Sequence, residues 1–203
     1  MAISLQKGQK IDLSKNGSQL TNLLVGLGWK EVKGGGGGGF LSMFKQKEDV
    51  DIDASVLLIG ENGKIASQED LIYFGNKDHR SGAVHHCGDN LVGGKMGGME
   101  DSEQILIDLN KVPPAIHRLV FVVNIYDCVK RKQHFGLVEN AYIRIVDKNA
   151  NEDIASYNLT EDYSGKTAMV VGEIYRHSGA WKFNAIGEAN YDPGLGQIVG
   201  RYQ

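Results

Sequence analysis

The sequence predicts an all-β protein, a two-sheet β-sandwich with short helical turns and long acidic, glycine-rich loops. Three observations point there: many short runs rich in β-branched and aromatic residues, turn chemistry between them, and no alternation of strand with helix. With 27 glycines and only 3 prolines in 203 residues, turns are plentiful and strands are seldom interrupted. A hydrophobic content of 41% suffices for one large core, and 23% charged residues is ordinary for a folded domain. A single domain over residues 1–203 is expected.

Leu23-Leu24-Val25-Gly26-Leu27-Gly28-Trp29 reads as the first strong strand. Six consecutive glycines, Gly34 to Gly39, then read as a mobile loop, because ordering a backbone without side chains costs the most entropy. Phe40-Leu41-Ser42-Met43-Phe44 follows as a docking turn or an exposed apolar tip. Ala54-Ser55-Val56-Leu57-Leu58-Ile59 is the next strand, and Glu61-Asn62-Gly63-Lys64 after it is a hairpin signal, since Asn-Gly readily adopts positive φ. Further strands are expected at 72–74, 104–109, 119–126, 141–146, 154–159, 168–175 and 181–186. Val120-Phe121-Val122-Val123 is apolar on both faces, as in a central strand, whereas 142–146 and 181–186 alternate as half-buried strands do. The tail at 195–202 is the one helical candidate.

Composition also excludes function classes. A net charge of −3 gives no general pull toward nucleic acid or an anionic membrane. The opening Met1-Ala2-Ile3-Ser4-Leu5-Gln6-Lys7 has no apolar core of a signal peptide, and the longest strongly apolar run, 119–126, is too short to span a bilayer. Two cysteines, Cys87 and Cys128, make no disulfide framework. A cytoplasmic location is expected.

Carboxylates concentrate in two segments. Glu48-Asp49-Val50-Asp51-Ile52-Asp53 puts Asp51 and Asp53 on one face of an extended chain, where their charges repel and a cation between them would relieve the repulsion. The second segment, from Gly88 to Glu103, places Asp89, Asn90, Glu100, Asp101 and Glu103 among glycines that permit tight turns. Calcium takes 6–8 oxygen ligands in irregular geometry, and the lack of Cys or His at these positions disfavours zinc. Acidic loops are commonly just solvated, so spacing alone does not establish a site. Neither segment is an EF-hand: from Asp51 the sixth and twelfth positions are Val56 and Asn62. Asp147-Lys148-Asn149-Ala150-Asn151 fails at Glu152 and Asn158 and reads as a turn.

Taken in order, these elements resemble the TerD family of tellurium-resistance proteins over nearly the whole chain. The resemblance is carried by Leu5-Gln6-Lys7-Gly8, Val25-Gly26-Leu27-Gly28-Trp29, Asp51-Ile52-Asp53-Ala54-Ser55, Tyr73-Phe74-Gly75-Asn76 and Gly88-Asp89-Asn90-Leu91. It continues through Asn140-Ala141-Tyr142-Ile143-Arg144, Gly172-Glu173-Ile174-Tyr175-Arg176 and Gly179-Ala180-Trp181-Lys182-Phe183. It implies a β-sandwich with a pair of neighbouring calcium sites, no established catalytic activity, and a role in tellurite and stress resistance. On matching positions it implies ligation by Asp51, Asp53, Asn76, Asp89 and Asn90, with Glu100, Asp101 and Glu103 at the acidic loop end. The loop departs from the family's Gly-x-Gly-Asp-Gly-Asp-Asp-Glu by its length and by Lys95 and Met96, so one ion in place of two is the alternative. Partners implied are other proteins of a tellurite-resistance system, membrane-associated ones included, with no nucleic acid and no insertion into a membrane.

Competing chemistries have less support. His85-His86-Cys87 looks metal-like, but adjacent strand residues point to opposite faces. Cys87 with His134 or His177 lacks any nucleophile signature. Gly88 to Lys95 has the wrong spacing for a phosphate loop and continues with Met96 instead of Ser or Thr. Lys130-Arg131-Lys132 reads as a solvated turn, and Trp29, Trp181, Tyr73 and Phe74 as core. A metal-dependent hydrolase working in the acidic pocket is the alternative function, but beyond the ligands themselves it lacks a visible base or nucleophile.

Overall fold

The computed structural model describes residues 2–31, 50–88 and 101–203. The polyglycine run and Phe40 to Phe44 therefore lie outside the described residues. The chain order is β1 (Ile3–Leu5), β2 (Lys10–Asp12), β3 (Ser14–Lys15), β4 (Ser18–Gln19), β5 (Asn22–Glu31), β6 (Ile52–Gly60), β7 (Leu71–Ile72), β8 (Val84–His86) and β9 (Glu103–Asp108). After these come β10 (Ile116–Ile125), α1 (Cys128–Arg131), β11 (Val138–Asp147), β12 (Glu152–Asn158), β13 (Ala168–His177), β14 (Ala180–Asn190) and α2 (Leu195–Val199). Among the described residues the first sheet runs β1-β12-β11-β5-β9-β8 and the second β2-β14-β13-β10-β6-β7, with β3 and β4 as a small ribbon.

The period-2 pattern places the core. Leu23, Val25 and Leu27 of β5 and Ile143 and Ile145 of β11 point from the first sheet toward Leu119, Phe121 and Val123 of β10 in the second. β10 is apolar on both faces because both are covered. Val120 and Val122 form a second cluster with Leu57, Ile59, Ile198 and Val199, so α2 lies over the outer face of the second sheet. Burying each such side chain contributes about 1.5–3 kcal/mol.

Some elements differ from the sequence expectation. Gly63 does take a left-handed φ of +80°, and the Asn62 side chain accepts from the Lys64 amide at 3.0 Å. The turn is not a two-residue hairpin, however: ten residues separate β6 from β7, and a 3-10 turn at Gln68–Asp70 capped by Ser67 intervenes. The expected strand at 72–74 ends at Ile72, and residues 73–76 close a turn. Lys130 and Arg131 belong to α1, a short helix that the sequence reading lacks.

Candidate metal centre

β6 starts with its side chains divided between two environments. Alternation sends Ile52 and Ala54 into the core and Asp53 and Ser55 to the outer face of the second sheet. Asp53 pairs directly with Asn124 of β10. Asn124 is only 5% exposed, and its amide oxygen Oδ1 has no hydrogen-bond partner. The Ser55 hydroxyl, buried on the same face, also lacks one. A buried acceptor left unpaired costs about 1–3 kcal/mol. Asp53 and Asn124 line an open pocket with Asp127, and Tyr73, Phe74 and Tyr126 form its aromatic rim. Phe74 and Tyr126 are half exposed, so Phe74 is rim and not the core residue that the sequence suggests.

Of the other expected ligands, none among the described residues lines this pocket itself. The Asp51 carbonyl accepts from the Tyr126 amide at 2.8 Å, while its carboxylate lies 3.5 Å from Arg131, whose guanidinium stacks on Tyr126. Asn76 ends the turn that begins at Tyr73, and its amide nitrogen donates to the Leu71 carbonyl at 2.8 Å. Its main-chain carbonyl accepts from the Tyr73 amide at 3.1 Å, which leaves the side-chain oxygen Oδ1 as its remaining acceptor. Glu103 is buried on β9, 3.7 Å from His86 Nε2. The Gly88 amide donates to His86 Nδ1 at 2.9 Å, which leaves Nε2 protonated and donating to the Ala54 carbonyl at 3.0 Å. His86 thus ties Gly88 to β6, one residue from Asp53. Asp89, Asn90 and Glu100 lie outside the described residues. Among the described residues no three His, Cys, Asp or Glu side chains gather around one point.

A family model described as TerD domain matches residues 1–202. The chain belongs to the TerD family. It is 52% identical over 202 residues to the stress response protein SCP2 of Bacillus subtilis (strain 168), with all of both chains covered. It is 41% identical to the tellurium resistance protein TerD of Alcaligenes sp, covering 100% of this chain and 97% of that one. Among solved structures, the protein of unknown function SAV2460 superposes with a TM-score of 0.65 at 18% identity, over 89% of this chain and 95% of that one. That likeness bears on the fold alone.

Within this TerD domain one expected ligand has another occupation. The sequence places Asp101 among the metal ligands; the structure instead commits its carboxylate to Arg144. Oδ1 accepts from Arg144 Nε at 2.8 Å and from the Tyr142 hydroxyl at 3.3 Å, and Oδ2 accepts from Arg144 Nη2 at 2.7 Å and Gln104 Nε2 at 2.8 Å. Four donors fill the acceptor sites of a carboxylate. Burial lowers the basicity of Arg144, but the hydrogen bonds and charges of Asp101 and Asp153 outweigh it and raise its pKa above the usual arginine value. Space for the pair comes from Gly26, where a Cβ would stand 2.4 Å from Asp101 Oδ1, and Gly28 accommodates the Tyr142 ring in the same way. The alternating glycines in the β5 sequence are the signal of that close approach.

Sequence reasoning also misses a buried chain from Ser81 to His79 to Asp70. Ser81 Oγ lies 2.8 Å from His79 Nδ1, His79 Nε2 lies 3.2 Å from Asp70 Oδ1, and Asp70 Oδ2 caps the amides of Ala66 and Ser67. Ser81 Oγ also accepts from the Ala83 amide at 3.2 Å, so the arrangement locks two turns together. His85 is exposed on Asp78 at 2.7 Å while His86 is buried, as opposite strand faces require. Both cysteines are free, and burial raises the Cys87 thiol pKa.

Proposed function

We propose that this TerD domain is a calcium-binding, non-catalytic module of a stress-response and tellurite-resistance system, acting as a calcium-dependent interaction or scaffold protein. The stress and tellurium roles come from the names of its relatives, the stress response protein SCP2 and the tellurium resistance proteins TerD, TerX and TerZ. Partners among proteins of such a system follow from the same names. No helix among the described residues is long and apolar enough to cross a membrane, so contact with a membrane-associated partner would come through the surface.

One observation carries the calcium reading: the Asn124 amide oxygen is buried without a partner, directly across the strand pair from Asp53. A hard cation takes such oxygens, and Asp53, Asn124, Asp127 and the Asn76 side-chain oxygen fit its donor preferences. Loop residues Asp89, Asn90 and Glu100 and the buried Glu103 would complete one or two coordination shells.

Calcium at a thousandfold excess over its Kd should add about 4 kcal/mol of stability, a rise of roughly 8–16 °C in Tm for a chain of this size. Asp53→Asn should reduce that rise. Asn124→Leu gives a sharper test, because it removes the unpaired acceptor. The metal-free protein should gain up to about 1–3 kcal/mol while the calcium-induced rise shrinks. An unchanged Tm at millimolar calcium would sink the proposal.

A further inference from the structure

At one end of the sandwich the two sheets part around a cavity of about 190 Å³. Its floor is apolar: Val123, Met169 and Val171 are buried there. Its walls are aromatic, formed by Trp29, Phe135 and Tyr163. At its mouth stand Glu139, Glu161 and Asp162, and among the described residues no lysine, arginine or histidine lines it. β11 carries an irregularity in its pairing with β5 between Glu139 and Tyr142, and Asn140 within it takes a left-handed φ of +55°. Such bulges re-aim side chains beside binding sites. The Tyr163 hydroxyl is buried without a well-formed hydrogen bond; burial first, and the adjacent Tyr157 second, hold its phenol above the usual pKa and hence neutral.

Size and charge together select an occupant. An engineered cavity of about 150 Å³ lined by apolar side chains binds benzene, so this one has room for a single ring and a short chain. Lys7 pairs with Glu161 at 2.8 Å, whereas among the described residues Asp162 makes no ion pair with a basic side chain; its carboxylate accepts from the Ser164 amide at 2.9 Å, and the Ser164 side chain first and that amide second lower its pKa and keep it ionised. A carboxylate-bearing ligand would meet like charge at the entrance, and a cationic one would meet opposite charge. We propose that the cavity between the sheets is a binding site for a small primary amine carrying one aromatic or apolar body, with the ammonium at Glu139 and Asp162 and the body among Trp29, Phe135 and Met169. The site is separate from the proposed calcium centre: Ile52 faces the cavity, while its neighbour Asp53 lies on the opposite face of the second sheet.

The test is a titration of the full chain with 2-phenylethylamine and with its charge-inverted counterpart 3-phenylpropionate, read from the Trp29 indole N–H by NMR. A ligand of this size should bind with a Kd in about the millimolar range. The amine should bind about fivefold or more tightly than the acid at low salt, and the preference should shrink at high salt. Glu139→Gln and Asp162→Asn should each weaken the amine about two- to fivefold and leave the acid unchanged or improved. Val138→Trp, placed at the cavity wall, should abolish binding of both; if that variant fails to fold, the two carboxylate variants decide. Equal affinity for amine and acid, no saturation by either compound up to about 20 mM, or carboxylate variants that bind like the parent would each overturn the proposal.

Discussion

Arg144 is the clearest case of a single residue whose role is fixed by what surrounds it. It is 1% exposed, forked onto Asp101 and joined to Asp153 at 2.6 Å on the outer face of the first sheet. Removing one partner of a buried pair leaves an uncompensated charge, so Arg144→Met should cost about 3–5 kcal/mol in urea unfolding. The double variant Arg144→Met with Asp101→Leu removes both charges and should recover most of that loss. If the double variant is no more stable than the single, the cost lies in packing over Gly26 and not in the orphaned carboxylate. The same pair explains why Asp101 misleads a reader of the sequence. An aspartate at the end of an acidic loop and one that anchors an arginine look alike until Arg144, 43 positions away, is brought beside it. The face that Asp53 takes on β6 was legible because strand alternation is local. That Asn124 stands opposite it was not, because an asparagine in an apolar run carries no mark of what faces it across the sheet.

At the scale of elements, the long strands β5, β6 and β9 to β14 are written in local periodicity, and so is the helical tail. The short strands β1 to β4 and β8 are two or three residues each, too brief for a period; β1, β2 and β8 exist because a partner strand supplies their hydrogen bonds, while β3 and β4 pair only with each other. α1 is a single turn and equally silent. The tail gains its purpose only against the second sheet, where Ile198, 1% exposed, packs in the cluster of Leu57, Val120 and Val122. Ile198→Asp should therefore release the C-terminal segment. A loss of about 2–4 kcal/mol and new protease cleavage after residue 190 are expected, whereas Ile198→Val should cost only about 0.5–1.5 kcal/mol. Equal resistance to protease in Ile198→Asp would show that α2 is held by other contacts, such as the Tyr202 carbonyl accepting from the Ile65 amide at 2.7 Å.

At the scale of the whole molecule, the first dozen residues connect the two sheets. β1 adds parallel to β12 at one edge of the first sheet, and β2 adds antiparallel to β14 at the corresponding edge of the second. Gly8, at φ +79°, turns the chain between them, and the Ala185 amide donates to the Gln9 carbonyl at 3.0 Å. One short arm thus blunts two edges that would otherwise present rows of unpaired amides and carbonyls, a template for pairing with another chain. The apolar cost of losing it is small, since Ile3 is half exposed and Leu5 is the one buried side chain of β1. Deleting residues 2–12 should therefore lower the Tm moderately but change association strongly. Size-exclusion chromatography with light scattering should show concentration-dependent oligomers beyond those of the full chain, and hydrogen exchange should quicken selectively in β12 and β14. A truncated chain with unchanged association and unchanged exchange in those two strands would mean that the edges are protected by their own twist and side chains, and that the arm is a passenger.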